Sequence, residues 1–309
     1  MVEQIPTDNH INEDSSIIRY MDFWKFEKLL KNSSIYFTRV DNLKNEDSYE
    51  GTLTKELFDF LIEKIFCPDM LRFINENPPR PKPSKIFYGD IEITGNMHND
   101  LTNIRNRFQK VYDHLKQWLF VNCWCVGESE LNTMWNSYTT KHEGVAIKST
   151  PKRIKQSLHK EQIKDGGRIR ARKVTYCDYD EAFQDETPGN VPLFFKLGGI
   201  YEILKHMLFK KTKYYETERE LRLLYEHPKL PRAFDLLGSE IDLTISNEDK
   251  LKLIKVNLDV LISKIILHPG ADGNFHERIK AIVTETRHIH NMNSDKITIS
   301  NINSIPYRL

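Results

Sequence analysis

The stretch from Leu101 to Val126 limits the fold more than any other part of the chain. Leu101, Ile104, Phe108, Val111, Leu115 and Trp118 recur at intervals of three and four among charged residues. On a helix this spacing makes one apolar stripe, which faces a core far more often than a cofactor. Phe120 to Val126 follows almost at once and reads as a buried strand. A core helix feeding straight into a buried strand calls for helices layered on a sheet.

The rest of the sequence repeats that alternation. Ile17 to Met21 reads as a strand, Asp22 as the cap of a helix carried by Phe23, Phe26, Leu29 and Leu30, and Ile35 to Thr38 as a second strand. Residues 55–66 suit a helix through Leu57, Phe60, Leu61 and Ile65. Prolines in NENPPRPKPSKIFYGDIEITGN, residues 75–96, predict an exposed insertion with a short hairpin in its later half. Gly144 to Lys148 returns to strand, and Thr150 caps a helix that begins at Pro151. A strand over Lys173 to Asp178, a helix over 191–211 and a strand from Glu218 to Glu226 come next. Strands near Leu253 to Val256 and Ser263 to Leu267 precede a helix that Gly273-Asn274 opens and that runs through Thr286, and residues 295–300 close with a strand.

The expected architecture is therefore mixed α/β (α+β): a partly antiparallel central sheet flanked by helices. One elaborated domain spans 16–309 behind a polar leader of residues 1–15, with no internal repeat.

Charge and cysteine usage narrow the functional classes. Lys and Arg total 45 against 44 for Asp and Glu, so there is little net field to gather a polyanion. A general nucleic-acid binder is disfavoured, although a local basic patch is not excluded. RIRARK, residues 168–173, reads as a solvated strand end or a phosphate contact. No run reaches the length of a membrane span and the leader is acidic and polar, so a cytoplasmic protein with no membrane partner is expected. Cys67, Cys123, Cys125 and Cys177 lack zinc or disulfide spacing; Cys123 and Cys125 share a face on a strand, as a buried pair or a redox pair.

Four blocks carry a family resemblance: IIRYMDFWKFEKLLKNSSIYFTRVDNLKNEDSYEG, CWCVGESELNTMWNSYTTKHEGVAIK, KVTYCDY and KKTKYYETERELRLLY. In content and order the chain resembles the bacterial domain-of-unknown-function family 2971, with its Met-Trp-x-x-Tyr signature, following Gly-Val strand and late Glu-x-Glu-x-Arg strand. Asn45-Glu46-Asp47-Ser48 stands where the family has an Asn-Asp-Pro turn. The resemblance implies an accessory bacterial protein, in some settings tied to phage defence, with a partner protein from a neighbouring gene.

The residues with the most chemistry are Glu216, Glu218 and Glu220, which on one strand would project from a single face. Such crowding of like charge persists where a cation, a substrate or an arginine compensates it. The order of an early Arg19-Tyr20 strand, a central Trp135-x-x-Tyr138 segment and a late Glu-x-Glu strand resembles that of ADP-ribosyltransferases. That resemblance implies NAD as cofactor, held by Arg19, Tyr20, Trp135, Tyr138 and Arg222. Glu220 would stabilise positive charge on the ribose and Glu218 would activate a protein or nucleic-acid acceptor.

Other readings stay open. Glu220 and Arg222 can pair in the sheet, and Trp135 and Tyr138 can be core or rim anchors. Asp41, Asp47 and Glu50, with Glu218 or Glu220, would suit magnesium in a nuclease. The glycines of Pro269–Gly273 suit a strand-to-helix turn or a phosphate cradle, and His142 a surface turn or an acid–base role. The chain can equally be a non-catalytic sensor or binding module with an aromatic and acidic pocket.

Overall fold

The computed structural model describes residues 11–45, 51, 86–88, 91–93, 97–140, 142–158, 166–178, 193–231, 241–290 and 294–300. Its strands run in chain order as β1 (Ile17–Asp22), β2 (Ser34–Arg39), β3 (Ile86–Tyr88), β4 (Ile91–Ile93), β5 (Leu119–Val126), β6 (Gly144–Ser149), β7 (Arg168–Lys173), β8 (Thr175–Cys177), β9 (Lys210–Thr212), β10 (Glu220–Glu226), β11 (Leu251–Lys255), β12 (Lys264–Leu267) and β13 (Ile297–Ile299). Nine of them form one sheet in the order β11-β2-β5-β1-β6-β12-β13, with β10 on β5 and β7 on β10. All its pairings are antiparallel except that of β12 with β13. The mixed α/β expectation holds.

Helices cover both faces of the sheet. On one, Ile104, Phe108, Val111 and Leu115 of the helix Met97–Lys116 have no exposed surface and pack with Ile200, Ile203, Leu204 and Met207 of Leu193–Leu208. Each such side chain stabilises the fold by roughly 1.5–3 kcal/mol. On the other face, Phe26, Leu29 and Leu30 of Phe23–Asn32 meet Phe275, Ile279 and Val283 of Gly273–His290. β10 is buried on both sides: Leu221, Leu223 and Tyr225 enter one core and Leu224 the other.

One feature of the pairing positions the candidate site. β10 occupies one edge of β5 along Leu119–Cys125, so β1 and β2 must share the other. They do so by splaying: β2 takes Phe120 and Val121, β1 takes Cys125 and Val126, and Asn122, Cys123 and Trp124 pair with neither. In that gap the Asn122 Nδ2 donates to the Tyr36 carbonyl (2.8 Å) and the Trp124 Nε1 donates to Asn122 Oδ1 (2.7 Å). Side chains thus satisfy polar groups that a continuous ladder would have paired.

Several expectations are corrected. Asp22 precedes its helix but does not cap it; its Oδ1 accepts from the Thr140 N–H (2.6 Å) and hydroxyl (2.7 Å) instead. RIRARK is itself strand β7 rather than the end of one, and the strand expected at 173–178 divides at Val174 into β7 and β8. The helix expected to reach Lys211 stops at Leu208, where Lys210–Thr212 pairs in parallel with β8. Glu216, Glu218 and Glu220 do not share a strand: Lys213–Glu218 is a 3-10 helix, and Arg219 turns through φ 44° before β10 begins.

Other expectations hold. The hairpin in the later half of the insertion is β3 with β4, and Thr150 caps the helix begun by Pro151 by accepting from the Arg153 N–H (3.1 Å). The helix expected at 55–66 and the proline-rich start of the insertion lie outside the described residues.

Candidate functional site

The gap between β1 and β2 opens into a cavity of about 210 Å3 lined by Arg19, Tyr20, Tyr36, Cys123, Tyr138, Lys211, Glu218 and Glu220 among others. A wider groove of about 630 Å3 adjoins it and shares Lys25, Met134, Tyr138, Lys211 and Glu218 with it as wall residues. Strand β1 supplies Arg19 and Tyr20, the short helix Asn132–Tyr138 supplies Tyr138, β9 supplies Lys211, and the turn into β10 supplies both glutamates.

The left-handed Arg219 separates the roles of the two acids. Glu218 lies in the wall of both compartments, accepting from Tyr138 Oη (2.9 Å) on Oε1 and from Lys211 Nζ (2.7 Å) on Oε2. Glu220 faces only the inner cavity. Its two oxygens are taken by the Arg222 fork, at 2.7 Å from Nε and 2.9 Å from Nη2. Lys211 stands 3.6 Å away, and the Glu220 backbone N–H donates to Tyr176 Oη (2.7 Å).

Electrostatics follow from these contacts. Burial pushes the Glu220 carboxyl up, but the Arg222 charge and hydrogen bonds, with Lys211 and the Cys123 thiol, outweigh it and hold the group down at about 2. Burial, with Glu218 beside it, raises the Tyr138 phenol, which stays a proton donor. Burial also raises the Cys125 thiol, to about 11, which removes thiolate character at neutral pH.

Arg19 differs from its neighbours. Its guanidinium lies 5.7 Å from the centroid of the Tyr36 ring and makes no side-chain hydrogen bond or ion pair among the described residues. Burial lowers its pKa, yet a guanidinium stays charged in proteins. Lys25, in the wall of both compartments, stands near Asp22 and helps to hold that carboxyl below its ordinary value. In the lining of the inner cavity Arg19, Lys25 and Lys211 stand against Glu218 and Glu220, an excess of one positive charge, whereas in the outer groove Lys25 and Lys211 are balanced by Asp22 and Glu218.

Of the residues singled out in the sequence, Arg19, Tyr20, Tyr138, Glu218 and Glu220 come together around the inner cavity. Trp135 does not: it is fully buried, with Tyr20 edge-on at 4.9 Å and His268 at 5.4 Å. Arg222 is also fully buried, donating to Glu220 and to the Leu208 carbonyl. Tyr20 uses its hydroxyl to accept from the Leu131 N–H (2.9 Å), anchoring the loop before the Tyr138 helix. His142 sits in an exposed turn at φ 65°.

The acidic loop gives no metal centre. Asp41 is gripped by both arms of Arg39 at 2.8 Å, and Asp47 and Glu50 lie outside the described residues. Among the described residues no group of three His, Cys, Asp or Glu is placed to share an ion, and no helix is long and apolar enough to cross a membrane.

Sequence reasoning missed Lys25, Lys211 and Cys123 as wall residues. Lys211 is the second residue of the block KKTKYYETERELRLLY, which was its signal; Lys25 reads as an ordinary solvent-facing position on an amphipathic helix.

A search of curated proteins found no match, and neither did a search of solved structures. A family model described as "Protein of unknown function (DUF2971)" matches residues 134–223. The matched span contains Tyr138, Lys211, Glu218, Glu220 and Arg222, whereas Arg19, Lys25 and Cys123 precede it. Over those residues, which hold one wall of the cavity, the chain is similar to the DUF2971 family.

Proposed function

We propose that the cavity binds NAD and that the chain cleaves the bond between nicotinamide and ribose. The observation that carries this reading is one cavity lined both by Arg19, whose guanidinium makes no hydrogen bond among the described residues, and by the Tyr138–Glu218–Lys211 chain. A half-buried guanidinium that faces a cavity without a protein acceptor suits a phosphate oxygen. A carboxylate fixed by two donors keeps further lone pairs for positive charge that develops on a ribose.

Glu218 takes the role of charge stabiliser in this proposal, because it lines both compartments, whereas Glu220 faces only the inner cavity and is closed in the Arg222 fork. As the glycosidic bond breaks, its electron pair leaves with nicotinamide. Water then adds to C1′ of the ribose cation and loses a proton, giving ADP-ribose, nicotinamide and one proton. Tyr138, exposed at its ring and held at its hydroxyl, stacks on the nicotinamide ring. Transfer to a protein or nucleic-acid acceptor replaces the water with another nucleophile. A cytoplasmic, bacterial setting, a partner from a neighbouring gene and a part in phage defence belong to the same proposal.

Labelled NAD incubated with the purified protein and a cell lysate tests it. Nicotinamide release, reduced roughly 100-fold or more in Glu218→Gln, supports the proposal. Intact NAD after prolonged incubation, or unchanged release in that variant, overturns it. Label on a protein or nucleic acid assigns transfer, and free ADP-ribose alone assigns hydrolysis.

A further inference from the structure

We infer that the outer groove is the adenylate subsite, with Tyr214 and Tyr215 as its stacking platform and Lys25 as the phosphate cation at its boundary with the inner cavity. The inference rests on reading the inner cavity as the place where NAD is cut.

Exposed aromatic surface is concentrated at this groove. The large hydrophobic side chains most exposed among the described residues are Trp24, Tyr138, Tyr214 and four aliphatics. Tyr138 and Tyr214 line the groove, and Trp24 stands next to its wall residue Lys25. Tyr214 is 86% exposed, so it contributes little to any core. Its ring meets Tyr215 edge to face at 5.1 Å, and Lys211 Nζ lies 4.5 Å from the Tyr215 centroid. Tyr215 is thereby steadied from below while Tyr214 keeps ring surface in solvent, the arrangement on which a base stacks.

The remaining chemistry fits the same ligand half. Thr133, Ser137 and Thr217 offer hydroxyls to a ribose and to base edges, while those of Thr139 and Thr140 already donate to the Trp135 carbonyl and to Asp22. The inner cavity of about 210 Å3 is below the roughly 300–1,000 Å3 of ordinary ligand pockets, whereas the outer groove of about 630 Å3 is within it. A dinucleotide must therefore extend into the groove. Lys25 faces both compartments, lies 5.4 Å from the Trp24 ring centroid and has Asp22 as its nearby carboxylate in the groove wall. Arg19 and Lys25 then offer one cation to each phosphate of a pyrophosphate.

Calorimetric titration with ADP and, separately, with nicotinamide mononucleotide tests the assignment in the native chain, Tyr214→Ala and Lys25→Gln. Tyr214→Ala is expected to weaken ADP binding about 10-fold and leave nicotinamide mononucleotide unchanged, because base stacking is lost at one end only. Lys25→Gln weakens ADP as well. In turnover Tyr214→Ala raises KM for NAD and spares kcat. ADP affinity unchanged in both variants, or no ADP binding by the native chain, overturns the subsite. The two proposals fail separately: ADP binding lost in Tyr214→Ala without nicotinamide release keeps the subsite and removes cleavage. Nicotinamide release without ADP binding does the reverse.

Discussion

Arg222 has no exposed surface and closes its guanidinium fork on Glu220, two residues before it on the same strand face, at 2.7 and 2.9 Å. Arg222 is fully buried and Glu220 faces only the inner cavity, so the guanidinium has no route to water if the carboxylate is removed.

Removing one partner is therefore severe. Glu220→Gln alone is expected to cost about 3–5 kcal/mol, because the buried Arg222 is left without its counterion, and Arg222→Met costs less, because Lys211 still stands 3.6 Å from Glu220. The double substitution Glu220→Gln with Arg222→Met recovers much of that loss. Denaturant midpoints of the three variants check it; additive losses in the double variant would contradict it.

The same pair sets an acid limit. Glu220 is held at about 2, below the ordinary 4.5 of a glutamate. A group depressed on folding contributes stability above its unfolded value and loses it as pH falls toward the folded one. The melting temperature of the native chain should accordingly fall from near pH 4.5 toward pH 2. The double variant, which lacks this carboxyl, should show a shallower profile over that window.

Arg219 holds the step between the two glutamates at φ 44°, a region that side chains with a Cβ occupy at a cost of about 1–2 kcal/mol. Arg219→Gly is expected to match or exceed the native stability by up to about 1 kcal/mol. Arg219→Val should lose roughly 1–2 kcal/mol, since a branched side chain tolerates the left-handed region least. Equilibrium unfolding of both variants separates them.

Gly144 lies under the segment that carries Tyr138: a Cβ there would come within 2.6 Å of Thr139 Cβ. Thr139 is itself held by donation from its hydroxyl to the Trp135 carbonyl (2.7 Å). Gly144→Ala is therefore expected to cost about 1–3 kcal/mol and to shift Tyr138. Weaker ligand binding should accompany the loss of stability, measured by titration and thermal melting together. Full affinity in a destabilised variant would show that Tyr138 is positioned independently.

The large helices and the sheet were legible because their signals are periodic and local. The stripe from Ile104 to Leu115 could bury itself only one way, and the structure buries it against the helix Leu193–Leu208. The cavity was legible in its members but not in its cause. Arg19, Tyr138, Glu218 and Glu220 stood out as residue types, yet the splaying of β1 and β2 from β5 is set by pairing between distant segments and leaves no local pattern. Strand alternation placed Glu216, Glu218 and Glu220 on one face because nothing in Glu-Arg-Glu signals that Arg219 adopts a glycine-like conformation. Asp22 had the right position for a helix cap and was captured by Thr140 across 118 residues of sequence, a competition invisible to short-range reading.

Proton NMR of NAD mixed with the purified chain tests the central claim most directly, since free nicotinamide and the ribose C1′ proton report the scissile bond itself. The account predicts free nicotinamide and ADP-ribose appearing together with the native chain, and roughly 100-fold slower appearance with Glu218→Gln. An unchanged NAD spectrum with the native chain, or equal rates for the two proteins, would contradict it.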